Sequence, residues 1–125
     1  MKKLISLLLV LTLVVAMAAP VMAVNVPGSE SYSGELGGYG YDCSANVTIS
    51  RADASIAYSK NTTNLSIAVT LDRTQRGYNT QSVYSDGNTG RSYVTYSYNN
   101  ANYVINSASF TFRVGTTKVY SPYFN

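Results

Sequence analysis

Tyr41-Asp42-Cys43-Ser44-Ala45-Asn46-Val47-Thr48-Ile49-Ser50 decides the fold class. Its apolar and small residues, Tyr41, Cys43, Ala45, Val47 and Ile49, fall on odd numbers, and polar residues fill the even ones. Successive side chains of a strand point to opposite faces, so this alternation marks a half-buried β-strand. Beyond it the phase reverses: Ala52, Ala54, Ile56 and Tyr58 form the apolar set, now on even numbers. A single strand cannot change parity without an inserted residue, which predicts a bulge or bend near Ser50 and Arg51. Ser50-Arg51-Ala52-Asp53 also has the look of a helix-capping box, the minority reading for so short a segment.

Toward the C-terminus, residues 60–64 (Lys-Asn-Thr-Thr-Asn) form a polar turn. Leu65, Ile67, Val69 and Leu71 then alternate with Ser66, Ala68 and Thr70, giving the best core strand in the chain. Residues 72–77 are predicted as a charged loop, 78–85 as a strand, 86–90 (Asp-Gly-Asn-Thr-Gly) as a turn, and 91–98 as the hairpin partner. Within 103–114, Val104, Ala108, Phe110, Phe112 and Val114 share one face. Gly115 followed by Thr116 supplies glycine first in a two-residue loop, as a type II′ turn requires, and residues 117–123 close the domain. Toward the N-terminus, residues 24–40 hold Gly28, Gly34, Gly37, Gly38 and Gly40 with little periodicity. They are expected as a Gly/Tyr-rich extended segment with a short edge strand around 31–36. Together these elements predict an all-β domain over 41–125, an antiparallel β-sandwich or small barrel of about seven strands.

Residues 1–23 have the pattern of a secretory signal peptide. Lys2 and Lys3 precede an apolar stretch, Pro20 breaks it, and Val21-Met22-Ala23 offers modest side chains to a peptidase, placing the cut between Ala23 and Val24. The competing reading is an uncleaved anchor, since the stretch is long enough for ~30 Å of hydrocarbon. The proline and the lack of a charged stop-transfer cluster oppose it. A secreted, extracellular protein is therefore expected, with association with the cell surface as an alternative and any direct membrane contact confined to an uncleaved leader.

The leader also distorts the charge. Of nine Lys and Arg residues it removes Lys2 and Lys3, leaving near balance with six Asp and Glu. The pI of 9.0 is thus partly a property of the leader, and a general nucleic-acid role loses its main support. The remaining chain has no tryptophan, no histidine, one cysteine and all twelve tyrosines. Such composition favours pleated, half-buried surfaces joined by polar turns. One cysteine cannot staple an exported domain internally. Low cysteine use behind a lysine-led signal points to a bacterial source.

No catalytic, cofactor or metal motif stands out. The absence of histidine removes the commonest general base and most zinc sites. Cys43 lies in the apolar phase of its strand and reads as a buried, inert hydrophobe, with an intermolecular disulfide as the alternative. Two carboxylates could serve a glycosidase, but nothing in the spacing of the six acidic residues selects a pair. Asp86-Gly87-Asn88-Thr89-Gly90 lacks the closing glutamate of a calcium loop and is better read as turn chemistry. The expected candidates for binding are Arg73, Arg76 and Tyr78 in one loop, because arginine and tyrosine combine contact area with hydrogen bonding. Tyr93 and Tyr103, opposite in parity to the core sets of their strands, are the expected exposed tyrosines.

The leading expectation is a small secreted bacterial β-domain, non-enzymatic, that binds an extracellular protein or a cell-envelope polymer. In general look, a short signal followed by a Tyr/Ser/Thr/Asn-rich β-domain, the chain resembles small exported proteins of Gram-positive bacteria, including lactococcin-like β-sandwich bacteriocins. That resemblance implies an antimicrobial alternative, and no motif transfers residues from it. The near-neutral charge and lack of a basic amphipathic helix argue against simple membrane disruption. A third reading is self-assembly through sheet edges, encouraged by strongly β-forming stretches such as 65–71.

Overall fold

The computed structural model describes residues 23–125. The expected signal helix lies outside the described residues, and the expected cleavage bond between Ala23 and Val24 falls within the first strand. The described chain is all-β, built from two sheets that face each other and do not close into a barrel. Ten strands occur in order: β1 (Ala23–Val24), β2 (Gly28–Leu36), β3 (Tyr39–Val47), β4 (Arg51–Tyr58), β5 (Asn64–Gln75), β6 (Thr80–Arg91), β7 (Tyr93–Asn99), β8 (Tyr103–Val114), β9 (Thr117–Tyr120) and β10 (Tyr123–Phe124). One sheet runs β2-β3-β4-β7. The other runs β1-β10-β8-β5-β6, with β9 also paired to β8. All pairs are antiparallel except the short β1–β10 contact.

The parity reversal after Val47 is neither a bulge nor a helix. It is a chain reversal, with Val47 paired to Ala52 and Tyr41 to Tyr58. The Thr48 amide donates to the Arg51 carbonyl oxygen (2.8 Å), and the Arg51 amide donates to Thr48 Oγ1 (3.1 Å). Two residues, Ile49 and Ser50, make the bend. When a hairpin has two central residues, facing positions differ in parity, so an inward set on odd numbers must continue on even ones. Ile49, assigned by alternation to the buried face, is 51% exposed at this bend.

The same rule places β2. It pairs with β3 along its whole length, from Gly28 against Val47 to Leu36 against Tyr39. Gly37 and Gly38, at φ of 61° and 83°, form the two-residue turn, the conformation a type I′ hairpin demands of both central positions. The segment expected as an extension leading into the domain is therefore an edge strand of the sandwich, longer than the 31–36 stretch expected.

Three further boundaries differ from expectation. β5 continues through residues 72–75, and the turn occupies residues 76–79. Residues 86–90, expected as a turn, lie in β6 and pair one for one with Val69 to Leu65. A Cβ on Gly87 would lie 2.6 Å from the Ile67 carbonyl oxygen, so this glycine serves close backbone approach rather than reversal. Residues 91–98 are not a hairpin partner of β6. The chain turns a corner at Ser92 (φ 65°), and β7 joins the other sheet beside β4. The expected turn at Gly115 is present between β8 and β9, with φ of 60°.

The inward faces meet in one core. Val47 and Ile56 from one sheet and Leu65, Leu71, Phe110, Phe112 and Phe124 from the other are completely covered. Phe110 packs edge-on against Phe124 at 5.7 Å between centroids, a favoured aromatic geometry. Where the sheets part at the β2 side, Tyr32 stacks on Tyr120 at 5.0 Å and closes the gap. No helix occurs among the described residues.

Candidate functional site

With the odd residues of β3 and β7's even residues committed to the core, their partners line the outer face of the β2-β3-β4-β7 sheet. Register makes this face regular. Ser31, Ser44, Ser55 and Thr95 stand directly opposite one another across four strands, forming an unbroken row of hydroxyls. The next row is Ser29, Asn46, Asp53 and Ser97, and the row on the other side is Ser33, Asp42, Ala57 and Tyr93. The first two rows line a shallow open trough of about 500 Å³ that crosses the sheet.

Internal hydrogen bonds fix part of this surface. Ser44 and Ser55 share a hydrogen bond between hydroxyls at 2.7 Å. Ser33 donates to Asp42. Asp53 accepts from Arg51 Nε (2.6 Å), Arg51 Nη2 (3.2 Å) and Ser97 Oγ (2.7 Å). Partial burial pushes the Asp53 carboxyl up, but donation from Arg51 and Ser97 and the adjacent positive charge outweigh it and hold the group below the usual carboxylate value. Asp53 is thus an ionised acceptor. Asp42 and Asp53 lie two rows apart on neighbouring strands, roughly 14 Å by strand rise, beyond the ~5–9.5 Å that paired glycosidase carboxyls use. What the face offers chemically is hydroxyls, an amide and an oriented carboxylate, groups that both donate and accept. Tyr93, 62% exposed, adds an aromatic ring at one corner next to the small Ala57.

The other predicted residues sit elsewhere. Arg73 is not in a loop. It follows Leu71 on the inward phase of β5, and its guanidinium lies 3.9 Å from the Tyr103 ring centroid, 4.5 Å from Tyr84 and 5.8 Å from Tyr98. Its Nη1 also donates to the Tyr98 hydroxyl at 2.8 Å. The cation therefore closes one end of the sandwich. Tyr103, expected to be exposed with Tyr93, is half-buried beneath it. Arg76 and Tyr78 occupy the β5–β6 turn, where Tyr78 is 74% exposed. The fold thus joins Arg73 to Tyr103, keeps Arg76 beside Tyr78, and puts Tyr93 on the opposite sheet.

Cys43 is a free, buried thiol. Burial, with a smaller contribution from Asp42, pushes its pKa up to about 12, so it stays protonated. Its burial also opposes the intermolecular disulfide. Among the described residues no cluster of His, Cys, Asp and Glu is placed to hold a metal ion.

Sequence reasoning missed the hydroxyl rows. The outward residues were visible as the polar half of the alternation, but their alignment depends on the register of four strands. No protein-family model, curated protein or solved structure matches the chain.

Proposed function

We propose that the protein is an exported, non-enzymatic β-sandwich that binds a neutral glycan of the cell envelope or its surroundings along the outer face of the β2-β3-β4-β7 sheet. The observation carrying this reading is the trough floored by Ser31, Ser44, Ser55 and Thr95 and bordered by Asn46 and Asp53. A polyhydroxylated chain presents donors and acceptors in alternation, and a field of hydroxyls can answer either without burying an unmatched group. Tyr93 supplies a face against which the C–H side of a sugar ring can pack. The long, open form of the trough suits an extended polymer better than a small enclosed ligand.

Affinity electrophoresis through gels containing soluble neutral polysaccharides tests this reading. Retardation of the wild-type protein is expected with at least one polysaccharide. Tyr93→Ala should weaken that binding about 3–10-fold, the worth of roughly 1 kcal/mol of aromatic contact. Unretarded migration throughout a broad panel, or unchanged retardation of both Tyr93→Ala and Asn46→Ala, overturns it.

A further inference from the structure

The near balance of seven basic and six acidic residues among the described residues conceals a separation between the two sheets. The β2-β3-β4-β7 sheet carries Glu30, Glu35, Asp42 and Asp53 against Arg51 alone. The strands of the other sheet carry Arg73, Arg91, Arg113 and Lys118 against Asp72 and Asp86. Arg73 is occupied by its tyrosines, so the uncommitted positive charge of the second sheet is Arg91, Arg113 and Lys118.

Those three converge on one end of its outer face. Lys118, Arg113, Ser66 and Thr89 form a single row across β9, β8, β5 and β6, and Arg91 lies opposite Asn64 at the next outward position. Arg113 and Lys118 face each other directly, a like-charge cross-strand pair that destabilises an empty sheet. Among the described residues the only ion pair is Arg51 with Asp53, so none of the three has an acidic partner. The sheet's own carboxylates are engaged: Asp72 accepts from Gln81 and Asn106, and Asp86 from Tyr84. Arg91 Nε donates to Asn64 Oδ1 at 3.2 Å, which orients its guanidinium and leaves the terminal nitrogens for a ligand. Beside Arg91, residues Asn64, Ser66, Thr89 and Gly115 line a hollow of about 460 Å³.

We propose that this corner is a binding site for a phosphodiester polymer, with Arg91, Arg113 and Lys118 neutralising successive phosphates and Ser66 and Thr89 donating between them. From β9 to β6 is three interstrand steps, roughly 14 Å. One tetrahedral anion cannot span that distance, whereas a chain of repeated anionic groups can. A nucleic acid fits less well, because Ser66, Thr89 and Asn64 between the cations offer no aromatic face for a base. The site lies on the sheet opposite the glycan trough and stands independently of it.

Titration with a soluble poly(glycerol phosphate), followed by fluorescence anisotropy of the labelled polymer, tests the site. Three phosphate contacts should give a log–log salt slope of about −2 for a flexible polyanion. The triple variant Arg91→Gln/Arg113→Gln/Lys118→Gln should lose at least tenfold in affinity with a thermal midpoint no lower than that of the wild type, since it removes the opposed Arg113–Lys118 pair. Single Arg113→Gln should lose more affinity than Lys60→Gln, which removes the same charge from the β4–β5 turn. Absent or salt-insensitive binding, equal losses in Arg113→Gln and Lys60→Gln, or tighter binding of single-stranded DNA than of the polymer would each overturn the proposal. Tyr93→Ala should leave this binding intact, which separates failure here from failure of the glycan reading.

Discussion

Arg73 and Arg113 belong to adjacent strands of one sheet and play opposite parts. Arg73 lies near the C-terminal end of β5, with three tyrosine rings from β6, β7 and β8 around its guanidinium. Arg113 lies near the other end on the outer face, opposite another cation and without a carboxylate. The first charge is consumed by the fold and the second is left for solvent or a ligand. A basic residue's role is therefore decided by what covers it, and neither residue type nor overall charge reveals that.

The comparison is broken most forcefully by removing the covered cation. Arg73→Ala should destabilise the domain by about 2–3 kcal/mol, from a desolvated cation–π cluster and a lost hydrogen bond to Tyr98. Urea or thermal unfolding checks this, with a fall in midpoint of about 4–8 °C per kcal/mol for a chain of this size. Arg73→Lys should recover only part of the loss, because an ammonium cannot stack as a planar guanidinium does. Wild-type stability for Arg73→Ala would mean that the tyrosines pack adequately without it.

Alkali probes the phenols and the thiol of the covered interior. Burial, with Glu30 nearby, pushes Tyr120 from an ordinary 10.0 up to about 12. Burial, with Asp86 and neighbouring tyrosines, also raises Tyr96, whose hydroxyl is buried without a hydrogen-bond partner. The unfolded chain releases these protons first, so the stabilisation is intact below pH 10.0 and is lost as pH rises toward and through about 12. Cys43 adds to the decline from its ordinary 9.0. Stability followed by urea unfolding from pH 8 upward should therefore fall on the alkaline side, and a flat profile to pH 12 would contradict the burial of these groups.

How far the fold was legible follows from the same idea of covered and uncovered positions. β3, β4 and β5 declared themselves because apolar inward residues alternate with polar ones. β8 did so from Ala108 onward, since the irregularity opposite Asp72 and Arg73 buries Ile105 in place of the expected Val104. β2 did not, because its inward positions are Glu30, Tyr32, Gly34 and Leu36, which carry no simple apolar period. β6 was hidden more deeply: its inward set includes Ser82, Asp86, Asn88 and Gly90, residues that favour turns in isolation. Pairing with β5 along its whole length overrides that local preference. The parity reversal after Val47 pointed to a bulge or bend near Ser50 and Arg51, and the bend is the two-residue hairpin turn at Ile49 and Ser50. Arg73 also left a sign, since it continues the inward odd series of Leu65, Ile67, Val69 and Leu71. The hydroxyl rows and the cationic corner were legible only in part. The Gly115-Thr116 turn sets Arg113 against Lys118, and the β2-β3-β4 hairpins align Ser31, Ser44 and Ser55. Thr95 and the join of Arg113 to Ser66, Thr89 and Arg91 depend on register between strands that do not follow one another in the chain.

At the uncovered end, backbone conformation is the larger lever. Gly115 holds φ of 60° in the β8–β9 turn, and an added Cβ would meet nothing closer than Thr63 Cγ2 at 3.8 Å. Gly115→Ala should therefore cost about 1–2 kcal/mol through the left-handed backbone alone, read as a shift in unfolding midpoint. A much greater loss would show that the turn is crowded as well as strained.

The smallest effect is the sharpest contrast with Arg73. Arg113→Gln removes a positive charge from the same sheet, yet it relieves the opposition to Lys118 and breaks no ion pair. Like charges directly across strands cost about 0.2–1 kcal/mol, so the variant should match or exceed the wild type in stability by up to that amount. Salt screens exposed charges over ~10 Å at 0.1 M. The gain should accordingly be greatest at low ionic strength and shrink as salt is added, in paired urea titrations of the two proteins. If Arg113→Gln instead destabilises the domain as Arg73→Ala does, its guanidinium is serving the fold, and the division between a covered and a free cation fails.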